Sequence, residues 1–227
     1  MSKNENTPLI PKVDLQSIFG RNEYHFNLRK EIKIENLSHT SGNISLTELM
    51  YLALITKIVN PTLIVEFGTF NGRSTSILAM NSLPDCRVIT VDLPNTHRNK
   101  TKYELERKQN YEDVDELGFV GLKNKLFSDK VYRNKIEQLW MDSAQFPIEK
   151  YKEKVDLFFV DASHSYLNCK NDFRTALKCI TPNGVIILHD YAGWPGVTEA
   201  LNEEWYDHDI PLRWLSGTSF AILNSEL

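Results

Sequence analysis

The chain has 227 residues, 41% of them hydrophobic and 25% charged, with a net charge of -4. This is the make-up of an ordinary globular protein, long enough for one large α/β domain with an appendage. The acidic balance argues against a nucleic-acid binder, and no run approaches the roughly 18 apolar residues of a membrane span.

Residues 1 to about 43 are polar and irregular, with Pro8 and Pro11 early. They are expected to form an arm that covers a ligand site, reaches a neighbouring subunit or stays loose. His25 and His39 within it read as solvated. The first firm element starts at Ser45: Ser45-Leu46-Thr47-Glu48 fits a capping box, with Ile44 and Leu49 spaced for a hydrophobic staple. Leu46, Leu49, Met50, Ala53 and Ile58 give a helical apolar stripe, and Pro61 follows the helix end.

Leu63 to Phe67 reads as a strand, followed by Gly68, Gly72 and a helix from about Ser74 to Asn81. The pattern E-x-G-x-x-x-G over Glu66, Gly68 and Gly72 is neither the dinucleotide fingerprint G-x-G-x-x-G nor the phosphate loop G-x-x-x-x-G-K-[ST]. It suits a ligand with a ribose and a charged amino-acid tail, whose backbone contacts a glycine turn and helix start can supply. The same residues also suit an ordinary strand–helix turn. Arg87 to Asp92 reads as a second buried strand ending in an acid, and Asp92 is placed to accept ribose hydroxyl protons.

About 45 residues then separate Asp92 from the next strand, Ile136 to Trp140. This is more than a usual crossover needs. An inserted helical lid or interface element over about 93–135 is expected, with apolar spacing at Leu122, Leu126 and Phe127. Asp142 and Ser143 follow the third strand, where they either reach an adenine or simply end the strand in a turn. Val155 to Asp161 is a continuous apolar run around one acid, as in a strand covered on both faces. Its end, Asp161-Ala162-Ser163-His164-Ser165-Tyr166, gathers ionisable residues where α/β proteins bind ligands. A helix carrying Cys169 and Phe173 follows. Thr181-Pro182-Asn183-Gly184 turns it into a fifth strand, Val185 to Leu188, ending in His189-Asp190-Tyr191. After Gly193-Trp194-Pro195-Gly196 comes a helix to about Trp205 or Tyr206, then a β-hairpin of Leu212–Leu215 and Ser219–Leu223. His97 and His208 carry no argued role. Cys86, Cys169 and Cys179 lack metal-ligand spacing and read as reduced thiols. The start of the chain has no apolar core of signal-peptide length, so a cytoplasmic protein is expected.

Val65-Glu-Phe-Gly-Thr-Phe-Asn-Gly-Arg-Ser74, Asp161-x-x-His164-x-Tyr166, Pro182-x-Gly184 and His189-Asp190, in this order, resemble the class I S-adenosylmethionine-dependent methyltransferases. Within that group the chain is most similar to small-molecule O-methyltransferases of the catechol O-methyltransferase-like and macrocin-type sugar branches, from about Ser45 to Leu223. The resemblance implies a Rossmann-like fold: a mostly parallel seven-stranded sheet, helices on both faces and an antiparallel C-terminal hairpin. Residues 44–227 would be the catalytic domain and 1–43 the arm. Glu66, Gly68, Phe70, Gly72 and Ser74 would surround the methionine part of S-adenosylmethionine, Asp92 the ribose, and Asp142 and Ser143 the adenine. Asp161 would face both cofactor and reaction rim. In metal-dependent relatives a divalent cation such as Mg²⁺ sits at positions matched here by Asp161 and Asp190. The third position is Tyr191, a poor ligand for Mg²⁺; His189 or waters would complete such a site. His164 and His189 are the candidate bases for removing the acceptor's proton, with His164 favoured. Trp194, Tyr191, Tyr103 and Tyr111 line an acceptor pocket or pack as core. The implied reaction is methyl transfer to a hydroxyl of a small molecule, sugar or natural product, with no nucleic acid or membrane partner and a possible homodimer. The alternatives are an N-methyltransferase for a small amine and a non-catalytic cofactor-binding protein.

Overall fold

The computed structural model describes residues 7–20, 31–35, 42–94, 101–103 and 125–224. The strands are β1 (Lys12–Val13), β2 (Leu63–Phe67), β3 (Arg87–Asp92), β4 (Ile136–Trp140), β5 (Val155–Val160), β6 (Ile180–Leu188), β7 (Arg213–Leu215) and β8 (Ala221–Asn224). The helices are α1 (Leu15–Phe19), α2 (Leu46–Val59), α3 (Arg73–Asn81), α4 (Ile148–Tyr151), α5 (Tyr166–Cys179) and α6 (Pro195–Asp207).

Among the described residues the strands form one eight-stranded sheet in the order β1-β7-β8-β6-β5-β2-β3-β4. The run from β6 to β4 is parallel throughout, and β8 pairs antiparallel with both β6 and β7. The chain steps outward from β2 through β3 to β4, then returns to the other side of β2 with β5. The order therefore reverses between β2 and β5, and a crevice opens at their carboxyl ends, where open α/β sheets bind ligands.

Both faces of the sheet are covered because its central strands are apolar on both sides. Along β5, Phe158 and Val160 pack with Phe173, Ala176 and Leu201, while Leu157 and Phe159 pack with Leu52, Ile55 and Ile77. Successive side chains of a strand point to opposite faces, so one continuous apolar run feeds two cores. Helix α2 begins with the expected capping box, but its buried stripe is Leu49, Leu52, Ala53 and Ile55. Leu46 and Met50 are about half exposed, on the outer face.

Three expectations are corrected. The sheet has an eighth strand: Lys12 and Val13 add a parallel edge to β7. The arm is thus not irregular where it is described. Leu15, Ile18 and Phe19 are buried, with Asp14 capping α1, a spacing of i, i+3 and i+4 that the two prolines obscured. Finally, Thr181–Gly184 does not precede the fifth strand but lies within β6 as a bulge. The register moves from Val155↔Ile180 to Leu157↔Val185, so extra residues loop out while pairing resumes. His25, His39, His97, Tyr111 and Leu122 lie outside the described residues.

Candidate active site

The β2–α3 turn is shaped by its two glycines. Gly68 has φ +89°, and a Cβ there would lie 1.8 Å from the Asp161 carbonyl oxygen. The turn therefore packs backbone to backbone on the end of β5. Gly72, at φ +85°, lies against the Phe127 ring and starts α3. Residues 42–44, Gly68 to Asn71, Arg73, Ser74 and Asp161 line a small cleft that is open to solvent. Phe70 and Ser74 border this cleft directly, while Glu66 stands behind it with no exposed surface. Oε2 of Glu66 accepts from Thr75 Oγ1 and, at 2.6 Å, from Thr90 Oγ1. Oε1 is buried with no partner among the described residues. Burial pushes the Glu66 carboxyl up to about 7 against the opposing hydroxyl bonds, and the charge of Asp161 adds to the rise.

Asp92 ends β3, 7% exposed. Its Oδ2 lies 2.9 Å from Lys125 Nζ, and its Oδ1 accepts from the Leu93 N–H at 3.1 Å. Burial raises its pKa, and the ammonium offsets this in part. Asp142, beyond β4, accepts the Lys102 N–H at 2.8 Å and the Ala144 N–H at 2.9 Å. It caps the short 3₁₀ turn Ser143–Gln145 and ties residues 101–103, Tyr103 among them, to the end of β4.

Five ionisable side chains meet beside the cleft. His189 Nδ1 lies 2.8 Å from Asp161 Oδ1 and 3.2 Å from Asp190 Oδ2, and its Nε2 lies 3.5 Å from Glu48 Oε2. Burial disfavours an imidazolium here, but Asp161 and Asp190 outweigh it and raise the pKa of His189 well above its ordinary value. Asp190 and Glu48 are both held below the usual carboxylate range: burial works against this, and His189 overcomes it. Three carboxylates thus surround His189 and favour its protonated form. His164, on the loop after β5, places Nε2 3.0 Å from Asp190 Oδ2, and its ring stacks on Trp194 at 4.2 Å between centroids. Donor atoms of Asp161, His164 and Asp190 lie within 4.8 Å of one another, a spacing that could hold a metal ion.

The structure brings Gly68, Phe70, Ser74, Asp161, His164, His189 and Asp190 to one end of the sheet. Tyr191 is turned away from them. Its fully buried hydroxyl accepts from the Leu9 and Ile10 N–H groups at 2.8 and 2.9 Å and donates to Asn202 Oδ1 at 2.7 Å. It fastens the arm and is core, not a wall of an acceptor pocket. Two residues of the site escape a reading of the sequence. Glu48 was accounted for as a helix cap, yet its Oε1 also accepts from Ser219 N and Oγ. Lys125 is one lysine in a mixed-charge segment, with no local signal for its burial.

The curated Uncharacterized protein R132 of Acanthamoeba polyphaga mimivirus is 25% identical over 200 residues, covering 83% of this chain and 70% of that protein. Among solved structures, the O-methyltransferase from Bacillus cereus in complex with SAH superposes with a TM-score of 0.55 at 22% identity, covering 81% of this chain and 82% of that one. TomG from Streptomyces achromogenes, an O-methyltransferase involved in tomaymycin synthesis solved with SAM, gives 0.52 at 16%, covering 94% and 100%. These likenesses establish the fold. A family model described as a methyltransferase domain matches residues 65–191, more than half of the chain. Since that span runs from the acid of β2 to the turn after Asp190, the chain belongs to this family of methyltransferases.

Proposed function

We propose that the protein is an S-adenosylmethionine-dependent O-methyltransferase acting on a hydroxyl of a small molecule. The observation that carries this reading is the convergence, at the switch point of the sheet, of a glycine-lined cleft with an imidazole–carboxylate rim. The O-methyltransferases of similar fold were solved with SAM or SAH, which supports the same cofactor here. The donor set fits it. Gly68 and the start of α3 offer backbone to a methionine tail, Asp92 offers a carboxylate to ribose hydroxyls, and Asp142 with Ser143 lies at the adenine end. The orphaned Glu66 Oε1 marks unsatisfied polar capacity just behind the cleft.

When bound, the cofactor supplies the sulfonium methyl group; the protein supplies orientation, exclusion of water and proton handling. His164 takes the proton of the acceptor hydroxyl, and Asp190, 3.0 Å away, orients the ring and stabilises the imidazolium that results. The carboxylates around His189 favour its protonated form, so we assign it the role of counter-ion to Asp161, Asp190 and Glu48 and not that of base. A second reading of the proton step rests on the grouping of Asp161, His164 and Asp190. Two carboxylates and an imidazole suit a divalent cation that takes mixed oxygen and nitrogen ligands better than Mg²⁺. Such an ion would lower the pKa of the acceptor hydroxyl.

We take residues 44–227 as the catalytic domain and 1–43 as its arm. The buried free thiols of Cys86, Cys169 and Cys179 support a reducing, cytoplasmic setting. Titration calorimetry with SAH and NAD tests the cofactor: binding of NAD but not SAH would sink the proposal. A methyl-transfer screen of hydroxylated against amine acceptors separates O- from N-methylation. In the active reaction, His164→Gln should lower kcat by about 10²–10⁴ with little change in cofactor affinity.

A further inference from the structure

The carboxylate assigned to the ribose is already engaged. Lys125 Nζ sits 2.9 Å from Asp92 Oδ2, and the same ammonium donates to the Phe70 carbonyl in the glycine turn. The Trp140 ring centroid lies 5.1 Å away. A carboxylate, a carbonyl and an aromatic face therefore surround the charge, and Lys125 is only 7% exposed. The ammonium bridges the end of β3 to the β2–α3 turn, the two places assigned to the ribose and methionine parts of the cofactor. With Leu93 N–H on Oδ1 and the ammonium on Oδ2, both carboxylate oxygens that a ribose diol would use already accept a bond. The neighbouring backbone is held separately. The Leu126 N–H donates to the Asn71 carbonyl at 2.8 Å, and the Phe127 ring lies against Gly72.

We propose that Lys125 is an internal competitor for the nucleoside site: its ammonium occupies the ribose position in the free enzyme and swings out to solvent as the cofactor binds. The Leu126 and Phe127 contacts keep the backbone next to Lys125 on the glycine turn, so the exchange needs only a side-chain movement. The inference rests on the reading of Asp92 as the ribose partner. Without the lysine, Asp92 is a buried, uncompensated carboxylate in the free protein. Ribose hydroxyls then satisfy that carboxylate instead of breaking an ion pair.

Titration calorimetry with SAH on the wild type, Lys125→Met and Asp92→Asn tests this. Lys125→Met keeps the apolar stem and is expected to bind SAH at least tenfold more tightly than the wild type, whereas Asp92→Asn binds it more weakly. Equal or weaker binding by Lys125→Met, with the wild type still binding, overturns the inference and leaves the cofactor reading intact. Absence of SAH binding by every folded variant and the wild type overturns both. A second measurement needs no variant: acylation of lysine amines in the wild type, read by peptide mass spectrometry with and without saturating SAH. Lys125 is expected to be protected alone and to become reactive with SAH. Protection that persists at saturation refutes the exchange.

Discussion

Replacing Gly68 or Gly72 by alanine should give unequal damage, and the difference measures how the β2–α3 turn is built. Both glycines sit at positive φ, +89° and +85°, where an alanine costs about 1–2 kcal/mol. Beyond that the sites differ. At Gly72 the new methyl meets the Phe127 ring at 2.6 Å, a side chain that can shift, so the total should stay near 1–3 kcal/mol. At Gly68 it meets the Asp161 carbonyl oxygen at 1.8 Å, and relief means moving backbone until that contact exceeds 3.0 Å. The movement strains the 2.8 Å bond from Asp161 N–H to the Phe67 carbonyl and the 2.9 Å bond from Gly68 N–H to the Val91 carbonyl. Losing one buried bond adds about 1–3 kcal/mol, for a sum of roughly 2–5 kcal/mol. For a chain of this size that is a fall in Tm of about 4–20 °C. Because Asp161 moves with the strain, turnover should also drop, by about 10²-fold for a displacement near 1 Å. Thermal unfolding and SAH calorimetry on both variants provide the check. If Gly68→Ala is no worse than Gly72→Ala, the backbone contact does not constrain the site and the reasoning fails.

Two further predictions concern buried polar groups. Tyr191→Phe removes a hydroxyl that serves Leu9, Ile10 and Asn202 and leaves the Ile10 N–H without its partner. It should cost about 2–3 kcal/mol in urea unfolding, and a loss below about 0.5 kcal/mol would mean that the arm is not fastened there. Glu66, pushed up to about 7 by burial, binds a proton in the folded state that the unfolded chain releases near 4.5. Its contribution is therefore full below 4.5, declines as pH rises and is gone above 7, a span of about 3 kcal/mol. Glu66→Gln should flatten the fall in stability between pH 5 and 8, so parallel pH curves for variant and wild type would refute this.

Much of the fold was legible because parallel buried strands read as near-continuous apolar runs. Ile64–Phe67, Val88–Val91 and Leu157–Val160 announce themselves, and the acids that end them, Asp92 and Asp161, fall at the ligand end of the sheet. What stayed hidden depends on contacts that no local pattern encodes. Glu48 explained its own spacing as a helix cap. Its second role needs Ser219, 171 residues away, which the placement of β8 beside β6 brings into reach. Tyr191 looked like a site residue because it follows Asp190. However, Asp190 and Ala192 both take φ of +66°, and between them the phenol points into the core. Lys125 could not be ranked above its neighbours, since only the fold shows an ammonium buried against Asp92.

His164 distinguishes the two readings of the proton step, because it cannot serve both at once. Its Nε2 contacts Asp190 Oδ2 at 3.0 Å, and both residues belong to the group spaced for a cation. A ring nitrogen that gives its lone pair to a metal has none for the acceptor's proton at that atom. If His164 is the base, EDTA leaves the wild type active, and the His164→Gln defect is the same with or without added Mn²⁺. If it is a ligand, EDTA abolishes wild-type turnover, and His164→Gln raises the Mn²⁺ concentration needed for half-maximal activity by about 10–100-fold. In neither case should His189→Gln mimic His164→Gln. His189 lies between Asp161, Asp190 and Glu48, which favour its protonated form, and its loss removes the counter-ion to three carboxylates. The expected result is a large loss of stability near neutral pH, and a His189→Gln protein that is fully stable but inactive would refute the assignment of base and counter-ion.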